Sequence, residues 1–115
     1  MFNFNNVFDT LIKITIEEKE SIKETIIDSM LPTEDECSWW QVEHIITDLI
    51  KSLEYKLYLE DLIEENELES VLKSSNRNIR LEMFEILIKP IVEHYKDNYN
   101  VEVDYHWEEI KVSYK

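Results

Sequence analysis

Residues 99–115, YNVEVDYHWEEIKVSYK, alternate apolar and polar side chains: Val101, Val103, Tyr105 and Trp107, then Ile110, Val112 and Tyr114. A period of two marks a strand with one covered face, so this stretch predicts two strands around a turn near Glu108. A lone hairpin is marginal in water, so it must pack on a helix or gain a third strand. Upstream the apolar period changes to three and four, which sets the expected class: α+β, with a mostly helical N-terminal two-thirds and a small C-terminal antiparallel sheet or hairpin.

Working back, LEMFEILIKPIVEHY (81–95) carries Met83, Phe84, Leu87, Ile88, Ile91 and Tyr95 as one helical stripe, kinked at Pro90. The alternation of Ile79, Leu81 and Met83 leaves a strand start open there. SSNRN (74–78) reads as a loop and ELESVLK (67–73) as a short helix. A long helix is expected to start near Trp39 and to carry Val42, Ile45, Ile46, Leu49, Ile50, Leu53 and Leu57, capped by Thr33 with Glu36 or by Ser38 with Gln41. In that helix one of the rings of Trp39 and Trp40 enters the core, while the other partly covers it or meets a partner. Charge places its break at Ile63 to Asn66. In KESIKETIIDSMLP (19–32), Ser21 and Glu24 form an S-x-x-E capping box ahead of Ile22, Ile26, Ile27 and Met30, with Pro32 as the stop. Val7, Phe8, Leu11 and Ile12 predict a separate helix from about Asn6 to Ile14. A short strand through Leu11, Ile12, Ile14 and Ile16 is the alternative there.

At 115 residues the chain is expected to be one domain with a single modest core, and its 43% hydrophobic and 11% aromatic content predicts folding. No apolar run reaches the roughly 20 residues needed to span a bilayer, and MFNFNN lacks the basic start of a secretion signal. The single cysteine, Cys37, has no internal disulfide partner. The expected location is cytoplasmic. Glycine is absent altogether, which excludes phosphate-cradling loops, dinucleotide fingerprints, the G-x-S-x-G elbow and EF-hand calcium loops.

The net charge of −14 is unevenly spread: residues 1–30 hold 6 acids and 3 bases, residues 31–72 hold 12 and 2, and residues 73–115 hold 8 and 7. Such a middle third repels nucleic acid and anionic lipid and attracts a basic protein surface, so no direct nucleic-acid or membrane partner is expected. Cys37, His44, His94 and His106 have no paired ligand spacing, although Cys37 and His44, seven apart, could share a helix face; no metal or other cofactor is expected. No nucleophile and base can be paired from the sequence, so no catalytic residue and no enzymatic activity is expected.

The acidic run EDLIEENELE (60–69) supplies Glu60, Asp61, Glu64, Glu65, Glu67 and Glu69, joined by Glu34, Asp35 and Glu36. Most such faces are merely solvated. In a helix, however, Glu60 with Glu64 and Asp61 with Glu65 would stand one turn apart and repel by about 0.2–0.5 kcal/mol per pair. A row with a rise of about 6 Å per four residues would imitate phosphates along a strand.

Glu20, Ser21 and Ile22, with Leu31 and Pro32 following at helix length, resemble the inhibitors of uracil-DNA glycosylase made by phages and carried in staphylococcal mobile elements. IKPIVEH (88–94) is similar to a segment near the end of the staphylococcal form. The resemblance implies a small acidic DNA mimic that fills the glycosylase's DNA-binding cleft. Glu20 and neighbouring carboxylates would stand for phosphates, Ser21 would hydrogen-bond the active-site edge, and Ile22 would help to fix the contact. Met30, Leu31, Val42 and Ile46 are the positions guessed to wall a pocket for the enzyme's apolar finger. The expected partner surface is therefore Glu20, Ser21, Ile22, Glu24, Leu31, Glu60, Asp61, Glu64 and Glu65. The same charge pattern suits an immunity protein or antitoxin, or an inhibitor of another defence nuclease such as a CRISPR effector. A regulatory adaptor with no inhibitory role is the third possibility.

Overall fold

The computed structural model describes residues 2–29, 32 and 36–115. In order these form α1 (Phe4–Ser29), β1 (Ser38–Gln41), α2 (Glu43–Leu59), α3 (Glu67–Ser74), α4 (Ile79–Tyr95), β2 (Tyr99–Asp104) and β3 (Glu109–Tyr114). The class is α+β, as the period change predicts.

Helix α1 corrects the expectation of two N-terminal helices and of a strand at Leu11–Ile16. Its buried side is Val7, Phe8, Leu11, Thr15 and Ile26, and Lys19 and Ile22 are half-buried between the last two. Thr15 can lie in the core because its hydroxyl donates to the Leu11 carbonyl at 2.7 Å. Ser21 starts nothing: it lies inside the helix, and its carbonyl accepts the Thr25 hydroxyl. The chain has left the helix by Pro32. Thr33, half of one proposed cap, lies outside the described residues.

Helix α4 runs through Pro90, which cannot donate to the Ile86 carbonyl, and starts at Ile79 under an Asn78 side chain that accepts the Leu81 amide. The strand start considered there does not form. Helices α1 and α4 lie parallel: Arg77, just before α4, pairs with Asp9 near the start of α1 at 2.8 Å. At the other end the Tyr95 hydroxyl reaches toward the Ile27 carbonyl at 3.5 Å.

The hairpin gains its third strand from an unexpected place. Ser38–Gln41 pairs antiparallel with β3, giving the order β1-β3-β2, with Trp40 opposite Ile110 and Val103 opposite Ile110 on its other side. The two tryptophans therefore divide by strand alternation rather than by helical phase: Trp40 is half-buried and Trp39 is 56% exposed. The long helix begins only at Glu43. Neither Ser38 nor Gln41 caps it; the Val42 and Glu43 amides instead donate to the Glu108 carbonyl, at 2.8 and 3.2 Å. The core gathers Leu11 and Ile26 of α1, Ile46 of α2, Phe84 and Leu87 of α4, and Ile110 of β3.

Candidate functional site

The acidic run does not continue α2. Its end is a Schellman motif, with the Asp61 amide on the Tyr58 carbonyl, the Leu62 amide on the Leu57 carbonyl, and Asp61 left-handed at φ 57°. A glycine commonly fills that position, and this chain has none. The one-turn spacing expected of Glu60 with Glu64 and of Asp61 with Glu65 is thereby corrected, because all four lie on the turn between α2 and α3.

All four side chains are exposed, and among the described residues none forms an ion pair. Glu60 and Asp61 stand at the negative end of the α2 dipole, which disfavours them. Glu67 and Glu69, by contrast, have structural work: both lie in the first turn of α3, Glu67 accepts the Glu64 amide at 2.7 Å, and Glu69 pairs with Lys73.

Beside this turn α2 carries a second apolar stripe that the sequence reading missed. Tyr55, Tyr58 and Leu59 follow helical steps of three and four and remain exposed, Tyr55 at 63% and Leu59 at 62%, and Leu62, just past the helix end, is exposed beside them. The signal was present as a spacing of 55, 58, 59 and 62, out of phase with the buried Ile46, Ile50 and Leu57. A cleft of about 370 Å³ lies there, lined by Lys51, Glu54, Tyr55, Tyr58, Glu65 and Asn66.

Of the residues that carry the resemblance, Glu20, Ser21 and Ile22 lie on α1 and IKPIVEH (88–94) lies on α4. Glu20, Ser21 and Glu24 are exposed, and Glu20 is 3.9 Å from Lys23. Ile22 is half-buried and packs against the core. Leu31 and Met30 lie outside the described residues, as do Glu34 and Asp35. Val42 and Ile46 are 0% exposed, which removes them as walls of a pocket. Cys37 precedes β1 and His44 lies in the first turn of α2, so they share no helix face.

Both arginines are engaged. Arg77 donates to Glu82 and Asp9, which hold its guanidinium above its ordinary pKa. Arg80 bridges to the Glu108 carboxylate and to the Thr47 hydroxyl. A larger groove of about 550 Å³ runs beside that bridge, with Ile50, Leu72 and Trp107 among its walls. Among the described residues no helix is long and apolar enough to cross a membrane. No known protein family, curated protein or solved structure matches this chain.

Proposed function

We propose that this protein is an acidic inhibitor that acts by binding, occupying the nucleic-acid cleft of a basic DNA-processing enzyme in the cytoplasm. The observation that carries the reading is the α2–α3 turn, where Glu60, Asp61, Glu64 and Glu65 are exposed and, among the described residues, form no ion pair. An exposed acidic cluster beside exposed aromatic side chains, with Glu60 and Asp61 at the unfavourable end of the α2 dipole, suits a protein interface better than a solvated face. Direct nucleic-acid binding is disfavoured because Arg77 and Arg80 are spent on internal carboxylates.

Uracil-DNA glycosylase is the first partner to test, on the resemblance at Glu20–Ile22 and IKPIVEH. The expected result is loss of uracil excision at equimolar protein. Replacing Glu60, Asp61, Glu64 and Glu65 together with their amides should slow association about ten-fold at low salt. Undiminished excision at large excess removes the glycosylase as the partner.

The placement of Ile22 against the core favours a second reading, in which the same surface neutralises another basic nuclease, as an immunity protein, antitoxin or anti-defence inhibitor. Protection of DNA from such a nuclease, with excision unaffected, would carry that one.

A further inference from the structure

We infer that the surface formed by the second stripe of α2 and the acidic turn selects arginine over lysine on its partner. The inference rests on the reading of the protein as a binder of basic surfaces, and it adds which basic side chain is taken.

An amphipathic helix needs one apolar stripe, and α2 already buries Ile46, Ile50 and Leu57. Tyr55, Tyr58 and Leu59 are therefore surplus to the helix, Leu62 is exposed on the turn beside them, and aromatic and aliphatic groups exposed in one place mark a contact surface. The rim decides what covers it. A second copy of this chain would bring the stripe together in a two-fold arrangement that sets Glu60, Asp61 and Glu65 against themselves. An anionic lipid surface meets the same repulsion. A basic protein face does not.

Between the two basic side chains the geometry favours arginine. The cleft sets Tyr55 and Tyr58 beside the carboxylates of Glu54 and Glu65, with Lys51 as the one base in its lining. One oxygen of Glu54 already accepts the Glu69 amide at 3.1 Å, leaving the other for a donor. A guanidinium can lie flat on a tyrosine ring while its fork meets a carboxylate, and its weak hydration makes entry cheap. A lysine ammonium is a compact, strongly hydrated charge and gains chiefly the Coulomb attraction.

The test titrates the full chain at low salt with an arginine octapeptide and with a lysine octapeptide, following backbone amide shifts. The arginine peptide should bind about three- to five-fold more tightly, with its largest shifts at Tyr55, Tyr58, Leu62 and Glu65. The double variant Tyr55→Leu, Tyr58→Leu, which keeps apolar bulk and removes the aromatic faces, should bring the two peptides level. Equal affinity for both peptides in the unmodified chain overturns the inference and leaves the acidic-inhibitor reading standing. An arginine preference that survives the double variant overturns the site. If neither peptide binds, the inference and the reading beneath it both fail.

Discussion

Ser21 illustrates how a local pattern loses to its surroundings. S-x-x-E ahead of an apolar run is a good start signal, but a cap requires Ser21 to leave helical geometry. Here the buried stripe continues from Leu11 through Thr15 to Ile22 and Ile26, and holds the backbone helical across it. A capping serine would lose about 1 kcal/mol on conversion to alanine. Inside an exposed helix alanine is the better former, so Ser21→Ala should leave stability unchanged or raise it by up to about 0.5 kcal/mol, measured by urea unfolding. A loss of 1 kcal/mol would restore the cap. The signal was unreadable because the link positions are Thr15 and Lys19, polar by type. Only a local hydroxyl bond to Leu11 makes the first of them a core residue.

Short-range periodicity foretold α3, α4 and the β2–β3 hairpin, because each is set by its own neighbours. It missed β1 because four residues, SWWQ, carry too little pattern, and their partner strand lies some seventy residues later. The turn between β2 and β3 ties these pieces together through Glu108. Its carbonyl accepts the first amides of α2, and its carboxylate grips Arg80 of α4. Its backbone stands at φ 53°, where a side chain is costly. Glu108→Ala should therefore lower stability by about 2 kcal/mol in denaturant unfolding. Glu108→Gly, which loses the same ion pair but relaxes the backbone, should lose about 1 kcal/mol less. Equal losses would mean that the backbone is unstrained. The acidic turn was legible as a cluster and a break, while its geometry was not: without glycine, nothing in the letters marks Asp61 as the left-handed residue.

The described fold measures 54 × 24 × 19 Å, with a radius of gyration of 16.0 Å. About 13 Å is usual at this length, so the molecule is drawn out and presents much surface for its core. Its long seam is α1 against α4, closed at one end by Tyr95, whose ring also meets Tyr99 edge-on at 5.5 Å. Burial raises the Tyr95 phenol above its ordinary value of 10.0, with Tyr99 and Asp28 adding to the shift. The folded state thus holds this proton more tightly than the unfolded chain. Its contribution is complete below pH 10 and falls as pH rises through the folded value. The unmodified chain should lose more stability than Tyr95→Phe between pH 9 and pH 11, read by urea unfolding at about those two values. Parallel slopes for the two proteins would remove Tyr95 as the cause.

The parallel seam also has a consequence in time. Asp9 and Arg77, like Ile27 and Tyr95, are 68 residues apart, and neither half of the seam is complete without the other. At a synthesis rate of about 5–20 residues per second, α1 leaves the ribosome several seconds before α4 exists to cover it. During that interval Phe8, Leu11 and Ile26 face water or a chaperone. Closing the seam then joins residues 68 apart, a long-range contact of the kind that slows folding.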